Sequence, residues 1–151
     1  MLDSRAYKID RIEDLQKFAV ELSSELVGNS IVLLRGPMAS GKSEFVRQIL
    51  HAQGESLTVA SPTFALQLSY DLPRAHVEHW DLYRLQSMDE LEGTGFWDQF
   101  QILDGTVSNW VFIEWPERLE ISQLPRQWSC LELHFHVDAA GARTVTHLRR
   151  W

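Results

Sequence analysis

The sequence predicts one α/β domain built on a mixed, partly parallel central sheet. Three observations carry this. Two short, continuously apolar runs, Ile31-Val32-Leu33-Leu34 and Trp110-Val111-Phe112-Ile113, read as strands buried on both faces, which is the mark of parallel strands. Two stretches with apolar residues at three- and four-residue steps read as amphipathic helices that pack on such a sheet. Further segments alternate apolar and polar side chains around turn residues, as antiparallel strands do.

Taken in order, Ile12, Leu15, Phe18, Ala19, Leu22 and Leu26 define a helix from about Ile12 to Val27, with Gly28 and Asn29 as its stop. The first apolar strand follows and ends at Gly36. A second helix begins near Lys42, turns Phe45, Val46, Ile49 and Leu50 inward, and closes at Gly54. Leu57 to Ala60 reads as a short strand before a turn at Ser61-Pro62. Phe64 to Tyr70 and Ala75 to Leu82 alternate, and the Asp71-Leu72-Pro73-Arg74 turn joins them as a hairpin. Met88 to Phe100 reads as a broken helical region interrupted by Gly93 and Gly95. The second apolar strand runs into Glu114. Leu131 to Val137 and Arg143 to Leu148 read as a closing antiparallel pair around Ala139-Ala140-Gly141. No linker or shift in composition divides the chain, so one domain over residues 1–151 is expected.

Composition narrows the function classes. The chain has 151 residues, 44% of them apolar, enough for one core. Its net charge of −7 argues against tight direct binding of nucleic acid, which needs a basic face. The single cysteine, Cys130, excludes an internal disulfide and suits a cytoplasmic setting. No apolar run approaches the roughly 18 residues of a membrane span, and no secretory leader is visible. Six tryptophans suggest aromatic packing or contact surfaces, with Trp80, Trp97 and Trp115 as candidates for either.

The chemistry begins at Gly36-Pro37-Met38-Ala39-Ser40-Gly41-Lys42-Ser43. A buried strand, Gly-x4-Gly-Lys-Ser and a helix, in that order, make a P-loop. Backbone N–H groups of such a loop and of the helix start bind phosphate oxygens. Lys42 reaches the β- and γ-phosphates, and the Ser43 hydroxyl can take one Mg²⁺ position. The expected architecture is therefore a three-layer domain of the P-loop NTPase type, binding a nucleoside triphosphate.

A P-loop needs a partner acid. Glu114 stands at the C-terminal end of the second apolar strand, on the sheet edge to which the first strand delivers the phosphates. It reads as a metal-binding acid, against the plainer reading of a strand-end acid paired with an arginine. Asp81 in His79-Trp80-Asp81-Leu82-Tyr83-Arg84 is open to both readings, as a metal or water ligand or as a salt-bridge partner. His79 reads as a structural histidine. Arg84 fits a phosphate contact or an ion pair with Asp81 or Glu90. Ser61-Pro62-Thr63 reads as a turn, or as a loop whose threonine senses the γ-phosphate.

The P-loop, then Ser61-Pro62-Thr63-Phe64, then His79 to Leu85, then Glu114-Trp115-Pro116 resemble, in this order and spacing, the TsaE (YjeE) family. Its members are small bacterial P-loop ATPases needed to make threonylcarbamoyl-adenosine in tRNA. The resemblance covers Ile31 to Glu117 most clearly. It implies an Mg²⁺-dependent ATPase in which Gly36 to Ser43, with Glu44 following, hold ATP. It places Ser43, Glu114, Thr63 and Asp81 around Mg²⁺, and Trp115 beside the nucleotide. Lys42, Thr63, Asp81 and Glu114 would serve catalysis. It also implies a TsaD–TsaB heterodimer as partner, which fits the acidic charge because another subunit meets the RNA.

The family loop usually reads Gly-Asp-Leu-Gly-Ala-Gly-Lys-Thr. Here Pro37 replaces the acid and removes a backbone donor, Ala39 replaces the middle glycine, and Ser43 replaces the threonine. Glu44 adds a negative charge near the phosphates, and Leu15 stands where the first helix usually has a threonine. With no obvious arginine finger in cis, slow hydrolysis is expected. Two other functions use the same cradle: a small-molecule kinase, which would need an arginine-bearing lid, and a nucleotide-binding module that does not hydrolyse.

Overall fold

Among the described residues, seven strands form one sheet in which the most apolar segments take the middle. The computed structural model describes residues 4–54, 66–101, 105 and 107–151. Its strands are β1 (Ser4–Ile9), β2 (Ser30–Arg35), β3 (Gln67–Asp71), β4 (Ala75–Asp81), β5 (Ser108–Glu114), β6 (Ser129–Val137) and β7 (Arg143–Arg149). Their order across the sheet is β1-β7-β6-β2-β5-β4-β3. β2 pairs in parallel with both β5 and β6, and β5 with β4. The pairs β1–β7, β6–β7 and β3–β4 are antiparallel. Ile31, Val32, Leu33 and Leu34 are all fully buried, as a strand covered on both faces requires.

One face carries the two long helices, α1 (Ile12–Glu25) and α2 (Lys42–Ala52). α1 starts where the Asp14 carboxylate accepts the Arg11 backbone N–H at 2.9 Å, satisfying a donor that has no helical partner. Its buried stripe of Leu15, Phe18, Ala19 and Leu22 meets the α2 stripe of Phe45, Val46, Ile49 and Leu50 over Val32, Leu34 and Phe112. The Phe18 and Phe45 rings lie 5.2 Å apart, and each such buried side chain contributes roughly 1.5–3 kcal/mol.

The other face is covered by smaller pieces: α3 (Met88–Glu92) and 3₁₀ turns at Trp97–Phe100, Pro116–Arg118 and Ile121–Gln123. Leu91, Phe96, Phe100, Leu124 and Trp128 fill this layer against Ile31, Leu33, Val111 and Ile113. Aromatic edges do much of the packing, with Trp80 on Phe96 at 5.0 Å and Phe100 on Trp128 at 5.1 Å. The third layer of the expected three is thus built mostly of turns. No helix among the described residues is long and apolar enough to cross a membrane.

Both expected hairpins form, and the broken helical region splits at Gly93 to Phe96 into α3 and a 3₁₀ turn. Three placements differ from the sequence reading. β1 was not expected; it adds an edge to β7, burying little beyond Tyr7 and Ile9. β6 does not close the sheet at its rim but lies inside it, because Cys130, Leu131 and Leu133 are buried against β2. Trp80 is core, 2% exposed, which removes it from the contact-surface candidates. The strand expected at Leu57 to Ala60 lies outside the described residues.

Candidate functional site

The parallel strands end together. Leu34 stands beside Glu114 in the β2–β5 register, and Glu114 beside Asp81 in the β5–β4 register. This brings two carboxylates 33 residues apart in sequence onto adjacent strand ends, next to the loop that leaves β2. That loop turns sharply at Gly36, whose φ is +145° and where a Cβ would stand 2.6 Å from the Phe135 carbonyl oxygen. Only glycine fits there. Ala39 takes φ +61°, a left-handed conformation that costs a non-glycine residue about 1 kcal/mol or more. The middle-glycine position of the loop thus keeps glycine's geometry without glycine. α2 then starts at Lys42, so its first N–H groups face the loop with no preceding turn to bond.

Met38, Ala39, Ser40, Gly41, Lys42, Ser43 and Glu44 line a cavity of about 300 Å³, opposite Asp81, Glu114 and Trp115. Gly36 and Pro37 shape the loop from behind: their carbonyls accept the Lys42 ammonium, the second at 3.1 Å. The same ammonium lies 4.2 Å over the Trp115 ring. Burial pulls the Lys42 pKa down, against the attraction of Glu114, Asp81 and Glu117. Burial likewise pushes the Asp81 carboxyl up, although the Tyr83 backbone N–H donates to it at 3.0 Å.

Glu114 is 3% exposed, and one of its oxygens is shared. The Ser43 hydroxyl donates to Oε2 at 2.8 Å, and the His79 Nε2 lies 2.6 Å from that same atom. A hydroxyl and a buried carboxylate thus converge beside an ammonium, at the N-terminus of a helix. This donor set suits a hard divalent cation and the phosphates that accompany it. No trio of histidine, cysteine or acid side chains among the described residues is arranged to hold a metal ion by itself. A cation at Ser43 and Glu114 would therefore complete its shell with water or with the oxygens of a bound molecule, as Mg²⁺ with a nucleotide does. Glu44 does not leave a bare negative charge: Arg47 pairs with it, and Gln48 donates to it at 2.8 Å.

Of the residues expected at the site, Lys42, Ser43, Glu44, Asp81, Glu114 and Trp115 are brought together with the loop. Thr63, with Ser61, Pro62 and Phe64, lies outside the described residues. Arg84 is exposed and does not line the cavity. Two lining residues were not expected. Tyr83 packs its ring on Trp115 at 4.9 Å, and Trp115 itself holds a left-handed φ of +60°. Arg143 reaches from the start of β7 to donate to the Ala39 carbonyl at 3.4 Å. Tyr83 was within reach of sequence reasoning, two residues past Asp81. Arg143 was not, since only the fold brings residue 143 to residue 39.

Known proteins resemble the chain in sequence and in fold. The profile of the family described as "Threonylcarbamoyl adenosine biosynthesis protein TsaE" matches residues 9–145. A tRNA threonylcarbamoyladenosine biosynthesis protein TsaE of Rickettsia felis is 40% identical over 106 residues, covering 70% of this chain and 58% of that protein. One of the same name from Aquifex aeolicus is 32% identical over 108 residues, covering 70% and 72%. The chain thus spans little more than half the length of the Rickettsia felis relative. The crystal structure of Bacillus subtilis YdiB superposes with a TM-score of 0.68 over 99% of this chain and 87% of that one, at 19% identity, which speaks to the fold.

Proposed function

The chain belongs to the TsaE family, and on that premise we propose that it binds ATP with Mg²⁺ in the cavity at the ends of β2, β5 and β4 and hydrolyses it slowly. The purpose of the cycle is threonylcarbamoyl-adenosine formation in tRNA, the process named for its relatives, with a TsaD–TsaB pair as the protein partner. The observation that carries the reading is the convergence of Lys42, Ser43, Glu114 and Asp81 on one cavity at a helix N-terminus.

Each group has a part. The loop and the first N–H groups of α2 bind phosphate oxygens. Lys42 exchanges the carbonyls of Gly36 and Pro37 for those oxygens. Ser43 and Glu114 would hold Mg²⁺, which neutralises phosphate charge when bound. Asp81, half-buried beside Glu114, would orient the attacking water. Trp115 and Tyr83 form the aromatic wall. The small-molecule kinase gains nothing from this geometry, since Arg143 is the one arginine lining the cavity among the described residues.

Single-turnover ATP hydrolysis tests the proposal, with the protein alone and with a purified TsaD–TsaB pair. Slow turnover alone, a clear change on adding the pair, and at least a hundredfold loss in Lys42→Ala are expected. No response to the pair, together with ADP release driven by a small metabolite, would contradict it.

A further inference from the structure

We propose that His79 is the positioning residue that aims Glu114 at Ser43 and so sets the affinity of this site for its divalent cation. The inference rests on the Mg²⁺–ATP reading above and adds a residue to it.

His79 lies on β4, 1% exposed, two residues before Asp81. In the β4–β5 register it stands beside Phe112, and Asp81 stands beside Glu114. Its ring therefore sits beneath the cavity, on the side of the sheet that carries α2. From there Nε2 reaches the Glu114 carboxylate at 2.6 Å. The oxygen it meets is Oε2, the atom that also accepts the Ser43 hydroxyl at 2.8 Å. A carboxylate held by a single hydroxyl can rotate about its last bond. One held from below by a buried ring and from above by Ser43 has one orientation. Histidine and carboxylate partners of this kind tune metal ligands on many folds.

The hydrogen-bond inventory of the ring agrees. The other nitrogen, Nδ1, is buried without a partner among the described residues. The tautomer in which Nε2 donates to Glu114 leaves only a lone pair unmatched at Nδ1, and not a buried N–H. All of the hydrogen bonding that the His79 ring makes among these residues goes to Glu114. A histidine retained merely to fill space has no use for that contact; leucine would fill the site without a desolvated polar ring.

The test uses the full chain and a fluorescent ATP analogue, titrated with Mg²⁺ and, separately, in EDTA. Three variants are compared with wild type. His79→Leu removes the donor at similar volume. His79→Gln keeps an amide near the Nε2 position, and His79→Asn carries an amide too short to reach. His79→Leu and His79→Asn should raise the half-saturating Mg²⁺ concentration roughly 10- to 100-fold. Metal-free binding should stay within about twofold of wild type, and His79→Gln should recover most of the Mg²⁺ dependence. If His79→Leu does not fold, the Asn and Gln pair gives the same comparison. Unchanged Mg²⁺ midpoints in the folded variants would overturn the inference while leaving the ATP reading intact. Equal loss with and without Mg²⁺ in all three would reduce His79 to a packing residue. If wild type binds no ATP, the failure belongs to the underlying reading and not to His79.

Discussion

Glu114 and Glu132 are both buried carboxylates on neighbouring rows of one sheet, yet their electrical settings are opposite. Glu114 stands beside Leu34 and faces the α2 side; Glu132 stands beside Leu33 and faces the other. Glu132 receives Arg35 and, at 2.6 Å, Arg150, and Arg35 also holds Glu117 at 2.9 Å. Burial alone would raise the Glu132 pKa, but hydrogen bonds from the two guanidiniums overcome it and hold the carboxyl below its ordinary range. Glu114 has a hydroxyl, an imidazole and a neighbouring acid. Its nearby ammonium, Lys42, is turned to the loop carbonyls. A buried acid whose charge is matched within the chain is architecture. Buried acids left short of positive charge make a candidate functional site.

The largest effect that tests this contrast is on stability. Glu132→Ala removes the buried acid between Arg35 and Arg150, leaving Arg35 only the more exposed Glu117. It should cost roughly 3 kcal/mol, the low end for breaking a buried pair, because Arg150 retains access to water. Urea unfolding measures it, and ATP affinity of the folded variant should be unchanged. A cost no larger than about 0.5 kcal/mol, that of an ordinary surface change, would erase the distinction between the two acids.

Asp81→Asn probes the other side, with a smaller structural effect of opposite sign. Burial raises the Asp81 carboxyl above its ordinary value of 3.8, so the folded state holds that proton longer than the unfolded chain. Stability from this group therefore falls as pH rises from about 4 through the folded value. Glu132 runs the other way: its stabilisation is complete above 4.5 and is lost as pH falls through the lowered folded value. Asp81→Asn should raise the ligand-free melting temperature at neutral pH and flatten that decline, while lowering turnover about a hundredfold. Thermal melts across pH, beside turnover, check both halves. A destabilised variant would mean that Asp81 is compensated after all.

The same contrast explains what could be read from sequence. β2 and β5 were legible because four consecutive apolar residues leave a strand no exposed face. The loop from Gly36 to Ser43 was legible as a tight turn into a helix because Gly36 and Gly41 stand where the backbone takes positive φ. Glu114 followed from being the residue after an apolar strand. β1 was not legible, since Ser4-Arg5-Ala6-Tyr7-Lys8-Ile9 is an edge that buries only part of one face. The Arg35–Glu132–Arg150 network was not legible either, because its members come from β2, β6 and the chain after β7 and meet only through sheet order. Sequence context alone reads His79 as structural. Its meeting with Glu114 depends on the β4–β5 register, which no local pattern encodes. Local signals report burial and turns; pairings across the sheet decide which charges meet.

On the proposed reading, the under-compensated cluster of Lys42, Ser43, Asp81 and Glu114 is a Mg²⁺–ATP site. Calorimetric titration of ATP with Mg²⁺ into wild type and Lys42→Ala tests it most directly. Saturable one-to-one binding by wild type, weakened at least a hundredfold in a folded Lys42→Ala, is the predicted result. No binding by wild type, or equal binding by both proteins, would contradict it.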